Sequence, residues 1–494
     1  MEKKISENLR ENEAYIRKRC ENCGDIVIRP MRLGKDRKAD CLMVYLEAAT
    51  SNMMLEDSAL GKMINHFWEI SPEQICEFVK HNSLGIADAG KLATMEEAFE
   101  ALLAGNAVFF LDGFDQALKI ASSGYPGMGV SEAETEKVLR GSKEGFSDSV
   151  KVNSALVRKR LRDTKMKVEE HHMGVRSHTL IHMLFMEDLA KEELLDQIRE
   201  RLAAFQVDGI LDSGMLEQLT EDSWISPFPQ YQTTERPDRA AQEILNGKVV
   251  LLCDNSPFAL ILPGTLAGFM ESSEDWYNRF EMASFLRILR YLAMLAACLL
   301  PGLYLSVIRF HTQVLPNNLI LSFAQAREGV PFSSVAELLL LELGFELIRE
   351  AGVHIPGTLG NAMGIVGGLI IGSAAVEANL VSPIVVMIVA LTALGSMAIP
   401  NEEFTSAFRL LKYFFLFLGG YLGIYGMVLG IYLVLSHLAG LLSFGFPYLG
   451  ALTRKNKSQG VGDGILRIPF RLRRYRPVFA RQRERIRLKR RKQQ

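Results

Sequence analysis

The segment YFFLFLGGYLGIYGMVLGIYLVLSHLAGLL, residues 413–442, contains no Asp, Glu, Lys or Arg. It belongs to a longer stretch, residues 327–453, in which the runs 351–376 and 378–401 also lack these four residue types. A hydrocarbon core about 30 Å thick needs roughly 20 apolar helical residues to cross it. Each run is long enough, so the sequence predicts a helical membrane domain with several spans.

The predicted membrane domain occupies residues 276–452 and contains about four spans. The first span is the uncharged run 291–308, and the two middle spans lie in the runs named above. The last span, 413–442, is long enough for one tilted crossing but short for two. An even number of spans places both ends of the chain on the same side of the membrane.

Charge is distributed unevenly along the chain. Residues 454–494 carry sixteen Lys and Arg against two acids, a net charge of +14, whereas the whole chain has a net charge of −1. A basic segment beside an apolar run is typical of a cytoplasmic end. The first ten residues are charged and include no apolar signal region. We therefore expect a cytoplasmic N-terminal half and a basic cytoplasmic tail, 453–494, that contacts anionic lipid headgroups and not nucleic acid.

The N-terminal half contains an internal similarity. Residues 103–120 align without gaps on residues 245–262, 142 positions later, and the shared residues include Gly105 with Gly247. In both copies a predicted helix precedes two short strands, and a shared Asp is expected to close a turn through its own side chain. Chance similarity between two hairpins is the alternative. We expect duplicated soluble α/β subdomains, at 1–125 and 126–275, before the membrane domain.

No motif indicates an enzyme, a cofactor or a metal site. No Gly-rich loop is followed by Lys-Ser or Lys-Thr, the arrangement that holds nucleotide phosphates. Cys20 and Cys23 form a lone C-x-x-C pair, whereas structural zinc needs four ligands. His171 and His172 are adjacent, and neighbouring residues on a strand point to opposite faces. The sequence therefore predicts a chain that is not an enzyme and that binds no cofactor or metal.

A charged helix interrupts the membrane domain at residues 334–350. Four of its charged residues fall on one face at spacings of three and four, and its other faces are apolar. Two interpretations remain open: an acidic face along a water-filled path, where a ring of copies attracts cations, or a structural interface or in-plane helix. The candidate ion-path or gating residues are Glu337, Glu342, Glu346, Arg349, Glu350 and Glu377.

Small residues mark a candidate assembly surface next to this helix. Gly364, Gly368 and Gly372 recur at every fourth position. Small residues let helices approach closely in lipid, so we expect this stripe to support close helix packing.

Several motifs together resemble the GerA family of spore germination proteins, specifically its A subunits. The similarity covers about residues 95–450. The motifs taken together are specific for the family, whereas any one of them alone is weak evidence. The motifs are RGSKEGF (140–146), DGILDS (208–213), PFPQ (227–230), TERPD (234–238), SPFALI (256–261), AREGVPF (326–332), FELIREAG (345–352), IVGGL (365–369), AAV (374–376) and VSP (381–383). One position departs from the family, because Ser373 stands where Gln or Glu usually follows Ile-Gly.

The resemblance implies a subunit of a nutrient germinant receptor in the inner spore membrane. Such A subunits look like oligomeric, ligand-gated ion channels that act with a transporter-like B subunit and a lipoprotein C subunit. The alternatives are the similar SpoVAF-type branch, which amplifies ion release, and a non-conducting scaffold for the transporter-like partner. Within the matched motifs, the further candidates for assembly are Arg236, Asp238, Arg327 and Glu328.

Overall fold

The computed structural model describes residues 3–33, 39–50, 90–125, 132–353, 372–450, 464–473, 475–477, 480–481 and 486. The chain divides into two compact units. We call them the sheet unit (Met1–Asp222, Tyr231–Pro263 and Phe470–Gln494) and the helical unit (Ser223–Gln230 and Gly264–Pro469). The predicted combination of an α/β part and a helical part is confirmed.

The first repeat of the sheet unit is a five-stranded antiparallel sheet with two helices among its described residues. Its strands lie in the order β1-β2-β4-β5-β3. In chain order the elements are α1 (Leu9–Arg19), β1 (Ile26–Leu33), β2 (Ala39–Leu46), β3 (Gly90–Leu92), α2 (Met95–Leu103), β4 (Ala107–Leu111) and β5 (Ala117–Ile120).

The second repeat has a sheet with the same strand order, β6-β7-β9-β10-β8. In this repeat, two helices stand between the second and third strands in chain order. The elements are α3 (Val150–Arg160), β6 (Met166–Met173), β7 (Thr179–Met186), α4 (Glu192–Ala204), α5 (Ser213–Thr220), β8 (Gln232–Thr234), α6 (Pro237–Leu245), β9 (Val249–Cys253) and β10 (Ala259–Leu262).

The shared residues have the same roles in both repeats. Gly105 and Gly247 follow a helix with φ near +90°, which a residue without a Cβ adopts at little cost. The shared Asp corrects our expectation, because its carboxylate bonds to a distant segment of the chain. Asp112 accepts a hydrogen bond from the Leu9 amide at the start of α1, and Asp254 accepts one from Val150 at the start of α3 (3.0 Å each). Each carboxylate therefore meets the positive end of a helix dipole.

The two repeats are joined by a buried ion pair within the sheet unit. The guanidinium of Arg158 is fully buried, and its Nε and Nη2 donate to the Asp25 carboxylate at 2.7 and 2.8 Å. Its Nη1 donates to the backbone carbonyls of Asp163 and Met166. All three nitrogens of this guanidinium therefore donate hydrogen bonds.

The far end of the chain also belongs to the sheet unit. The Arg481 amide donates to the Leu189 carbonyl, and its guanidinium donates to Ala190 and Glu192. Arg476 donates to the carbonyl of Leu245. This part of the basic tail is thus packed on the second repeat.

The helical unit contains two helices, among the residues described, that are long and apolar enough to cross a membrane. They are α9 (Phe280–Phe310) and α13 (Glu402–Gly440). The other elements are α7 (Leu266–Phe269), α8 (Glu274–Tyr277), α10 (Asn317–Ala326), α11 (Ser334–Val353), the shorter apolar α12 (Pro383–Met397), β11 (Leu442–Ser443) and β12 (Phe446–Pro447). A span in the run 351–376 remains a prediction, since most of that run lies outside the described residues.

The long helix α13 reverses direction, so the predicted single tilted crossing at 413–442 is wrong. Gly423 has φ +64° and ψ −147°, which interrupts the helix. A Cβ on Gly430 would lie 2.8 Å from the ring of Phe415. In a straight helix these residues would be about 22 Å apart. Residues 402–422 and 424–440 therefore form a helical hairpin with Gly423 at its turn.

Candidate functional site

Charged residues of α11 pair with charged residues on the first half of the α13 hairpin. As the residue numbers rise along α11 they fall along α13, as expected for antiparallel helices. The pairs are Glu342 with Lys412 (2.6 Å), Glu346 with Arg409 (2.9 Å) and Arg349 with Glu402 (2.6 Å). We call these three pairs the ion-pair ladder.

The ion-pair ladder runs from a buried end to an exposed end. The side chains of Glu342 and Lys412 are 2% and 8% exposed, whereas Glu402 at the other end is 75% exposed. Glu342 Oε1 is buried and has no hydrogen-bond partner among the described residues. A buried carboxylate oxygen without a donor is costly. The deepest pair therefore includes a buried carboxylate oxygen that is not satisfied.

Glu337 lies one turn and a half before this ladder and is completely buried. Its Oε1 accepts a hydrogen bond from Arg327 Nη2, and its Oε2 accepts one from the backbone amide of Ser382 (3.0 Å each). Ser382 directly precedes α12. Glu337 thus fixes the start of α11 to the start of α12, and Arg327 acts inside the unit as its counter-ion.

The remaining candidates lie apart from the ladder. Glu328, Glu350 and Glu377 are exposed. A Cβ on Gly372 would lie 3.1 Å from a methyl group of Val386. Gly364 and Gly368 lie outside the described residues. In the sheet unit, the buried Arg236 binds the Asp238 carboxylate at 2.8 Å and the Ser142 carbonyl at 2.7 Å.

Sequence reasoning missed a second buried charge cluster in the helical unit. Asp275 is 1% exposed, and its carboxylate accepts from Arg287 Nε at 2.8 Å and from Arg290 Nη1 at 2.9 Å. The backbone carbonyl of Asp275 accepts from Arg467. The two arginines of α9 look like ordinary flanking charges of a span. The only sequence signal was an acid twelve residues before the first of them.

The described residues include no group of three or more side chains suited to a metal ion. Cys20 and Cys23 are buried free thiols, and burial raises the pKa of Cys20 to about 12. His182 is buried on β7, where its Nδ1 lies 2.6 Å from Ser154 Oγ. Burial lowers the pKa of His182 to about 4, so its ring is neutral at physiological pH.

Comparison with known sequences gives extensive matches. The model of the family described as "Bacillus/Clostridium GerA spore germination protein" matches residues 14–479. An uncharacterized membrane protein, YfkQ of Bacillus subtilis, is 36% identical over 94% of this chain and 90% of its own length. Spore germination protein KA of the same species is 34% identical over 94% and 85%. Spore germination protein A1 is 38% identical over 78% and 80%.

One solved structure is also similar. It is the N-terminal domain of the A subunit of the Bacillus megaterium spore germinant receptor GerK3. It shares 25% identity with a TM-score of 0.42, and the match covers 53% of this chain and 96% of that one.

Proposed function

This chain belongs to the GerA family of spore germination proteins, and from that premise we propose that it is the A subunit of a nutrient germinant receptor in the inner spore membrane. Its partners in this proposal are a transporter-like B subunit, which binds the nutrient, and a lipoprotein C subunit. The chain itself forms a homo-oligomer whose helical units enclose a cation path. The SpoVAF-type role, amplification of ion release, uses the same path with another partner.

The ion-pair ladder is the observation that carries the conducting role. Ionisable residues within membrane-spanning segments are rare, and they mark substrate and ion pathways. Glu342 and Glu346 are each held by a single cation from the neighbouring helix. When germinant binding moves α11 along the hairpin, these carboxylates lose Lys412 and Arg409 and turn towards water. A ring of released carboxylates then attracts cations.

The other candidate residues have supporting roles in this proposal. Glu337 stays bound to Arg327 and Ser382 and acts as the fixed end about which α11 moves. Glu350 and Glu377 are exposed acids that raise the local cation concentration near the path. The stripe of Gly364, Gly368 and Gly372, with Glu328, supports contact between helices of neighbouring subunits.

Potassium flux through liposomes tests the conducting role. The purified chain is measured alone and with its B and C subunits, as the wild type and as the double variant Glu342→Gln with Glu346→Gln. We expect neutralisation to reduce flux strongly while the oligomer remains intact. Glu281→Gln, at an exposed acid of α9, is the matched control and should conduct normally. Unchanged flux in the double variant, with normal assembly, contradicts the proposed path.

The scaffold role has one observation in its favour, because each acid of the ladder already has a partner within the same chain. Buried ion pairs can often be replaced by apolar residues without loss of stability. The variant with Glu342→Leu and Lys412→Leu removes the deepest charges and keeps the volume. If the chain is only a scaffold, this variant assembles and supports normal ion release. If the pair is part of a gate, assembly persists but ion release is altered.

A further inference from the structure

Two large apolar side chains stand at the tip of a tight turn in the helical unit. Trp224 is 81% exposed and Ile225 is 75% exposed. They are the two central residues of a turn closed by a hydrogen bond from the Ser226 amide to the Ser223 carbonyl (3.2 Å). Since both side chains are mostly exposed at the tip, the turn presents them to whatever surrounds the protein.

The turn is held firmly from behind. The Gln230 side chain donates to the same Ser223 carbonyl at 3.0 Å. The ring of Phe228 is 2% exposed and packs 5.7 Å from Phe408 and 6.0 Å from His437, measured between ring centroids. Exposure of Trp224 is therefore not the result of a loose loop, because the backbone beside it is fixed by buried contacts.

These contacts place the turn at the open end of the α13 hairpin. Phe408 lies near the start of the hairpin and His437 near its end, so both arms meet beside Phe228. At the closed end, Tyr421 and Tyr425 flank the Gly423 turn and are 64% and 72% exposed. Aromatic residues at both ends of an apolar helix are typical of the two membrane–water interfaces.

The distance between the two ends agrees with a bilayer. Phe404, which also contacts Phe228, and Tyr421 are seventeen residues apart on one helical arm. This separation corresponds to about 26 Å, close to the roughly 30 Å thickness of the hydrocarbon core. When the tyrosines lie at one interface, the turn with Trp224 lies close to the other.

We propose that the turn Ser223–Ser226 is a lipid anchor, with Trp224 and Ile225 inserted at the boundary between headgroups and acyl chains. The inference rests on the membrane location proposed above. Trp is favoured at this boundary because its ring is apolar and its indole N–H can still reach water or headgroups. The serines on either side are small and polar, so that only the two tip residues enter the apolar layer.

Depth-dependent quenching of tryptophan fluorescence tests this anchor. The full chain is reconstituted in liposomes with Trp68→Phe and Trp276→Phe, which leaves Trp224 as the one tryptophan. Bromine atoms on lipids quench tryptophan nearby, and they can be placed near the headgroup or near the acyl-chain end. We expect strong quenching of Trp224 by the shallow bromines, weaker quenching by the deep ones, and emission blue-shifted from that of the urea-unfolded chain.

A matched variant separates failure of the anchor from failure of the membrane location. It carries Trp224→Phe in the same background and Tyr432→Trp, at a 67% exposed position on the second arm of the hairpin. This tryptophan should be quenched more by the deep bromines. If it is quenched and Trp224 is not, the anchor is wrong and the membrane location stands. If neither is quenched, both proposals are wrong.

Two further results would also overturn the anchor. Blue-shifted Trp224 emission that no lipid bromine quenches means that protein covers the turn, and strong quenching by aqueous iodide means that water does. If the tryptophan replacements prevent folding, Ile225→Cys with an environment-sensitive dye gives the same reading in a chain that keeps all three tryptophans. The cysteines in the described part of the chain are all buried, so with Cys76→Ser a dye added without denaturant marks the new one.

Discussion

Each unit contains a buried ion pair between distant segments, and the two pairs differ in how completely their polar atoms are satisfied. In the sheet unit, Arg158 binds both oxygens of Asp25 and two backbone carbonyls. In the helical unit, Glu342 binds Lys412 through one oxygen, and its other oxygen has no described partner. A fully satisfied network makes an arrangement rigid, whereas a partly satisfied one loses less when its partners change. We therefore expect the Arg158–Asp25 pair to lock the sheet unit. The Glu342–Lys412 pair is better suited to a part of the helical unit that moves.

The largest expected effect is at the satisfied pair. Asp25→Ala leaves the buried Arg158 guanidinium without its counter-ion, and we expect it to lower the free energy of unfolding of the sheet unit by about 3–5 kcal/mol. Urea-dependent labelling of the buried thiols of Cys20 and Cys23 measures this. Asp40→Ala removes an exposed partner of Arg32 and should cost less than about 1 kcal/mol. Equal losses in the two variants would contradict the locking role.

An intermediate effect is expected at the less satisfied pair. Glu342→Leu leaves Lys412 buried without its counter-ion and should destabilise the helical unit by about 3 kcal/mol. Adding Lys412→Leu should restore most of that loss, because the remaining site is apolar. Thermal unfolding of the full chain in liposomes, with Cys298 labelling as the signal, gives both values. If the second substitution makes the loss larger, the two residues do not act as a pair.

The smallest effect is expected at a buried histidine of the sheet unit, His182. The pKa of His182 is lowered from 6.5 to about 4 by burial, so the unfolded chain binds the proton more tightly. Stability is retained above about pH 6.5 and lost as the pH falls towards 4, by roughly 2 kcal/mol at about pH 4.5. Hydrogen exchange of β7, corrected for the intrinsic effect of pH, measures the loss. His182→Gln should flatten this dependence, and His172→Gln, at an exposed position, should leave it unchanged.

The local parts of the fold were predictable because their signals are local. The strands β4 and β5 were expected from two short apolar runs around Asp112-Gly113, and the Gly after each repeat's helix was expected from its freedom at positive φ. The sequence did not reveal that Asp112 reaches the amide of Leu9, 103 residues away. A turn is predicted from residues that are adjacent in sequence. This hydrogen bond joins two segments that are distant in sequence, so the same reasoning could not predict it.

The hairpin and the ion-pair ladder were not predicted from the sequence, for a related reason. Every position from Tyr413 to Leu442 is compatible with a straight apolar helix, so periodicity does not detect a reversal at Gly423. The reversal becomes visible only through contacts such as Gly430 with Phe415. The acidic face of α11 was found, but the partner of Glu342 lies 70 residues later. A charge pattern on one helix does not reveal the neutralising charge on another.

The position of the tail on the second repeat has a consequence for biosynthesis. Arg481 contacts Glu192, which leaves the ribosome 289 residues earlier. At about 5–20 residues per second, synthesis of the intervening chain takes roughly 15–60 s. During that time the whole helical unit is translated, while the surface of α4 and the end of α6 still lack their final contacts. A chain that stops before Arg476 lacks these contacts, so this part of the second repeat stays uncovered until residues 476–481 have been made.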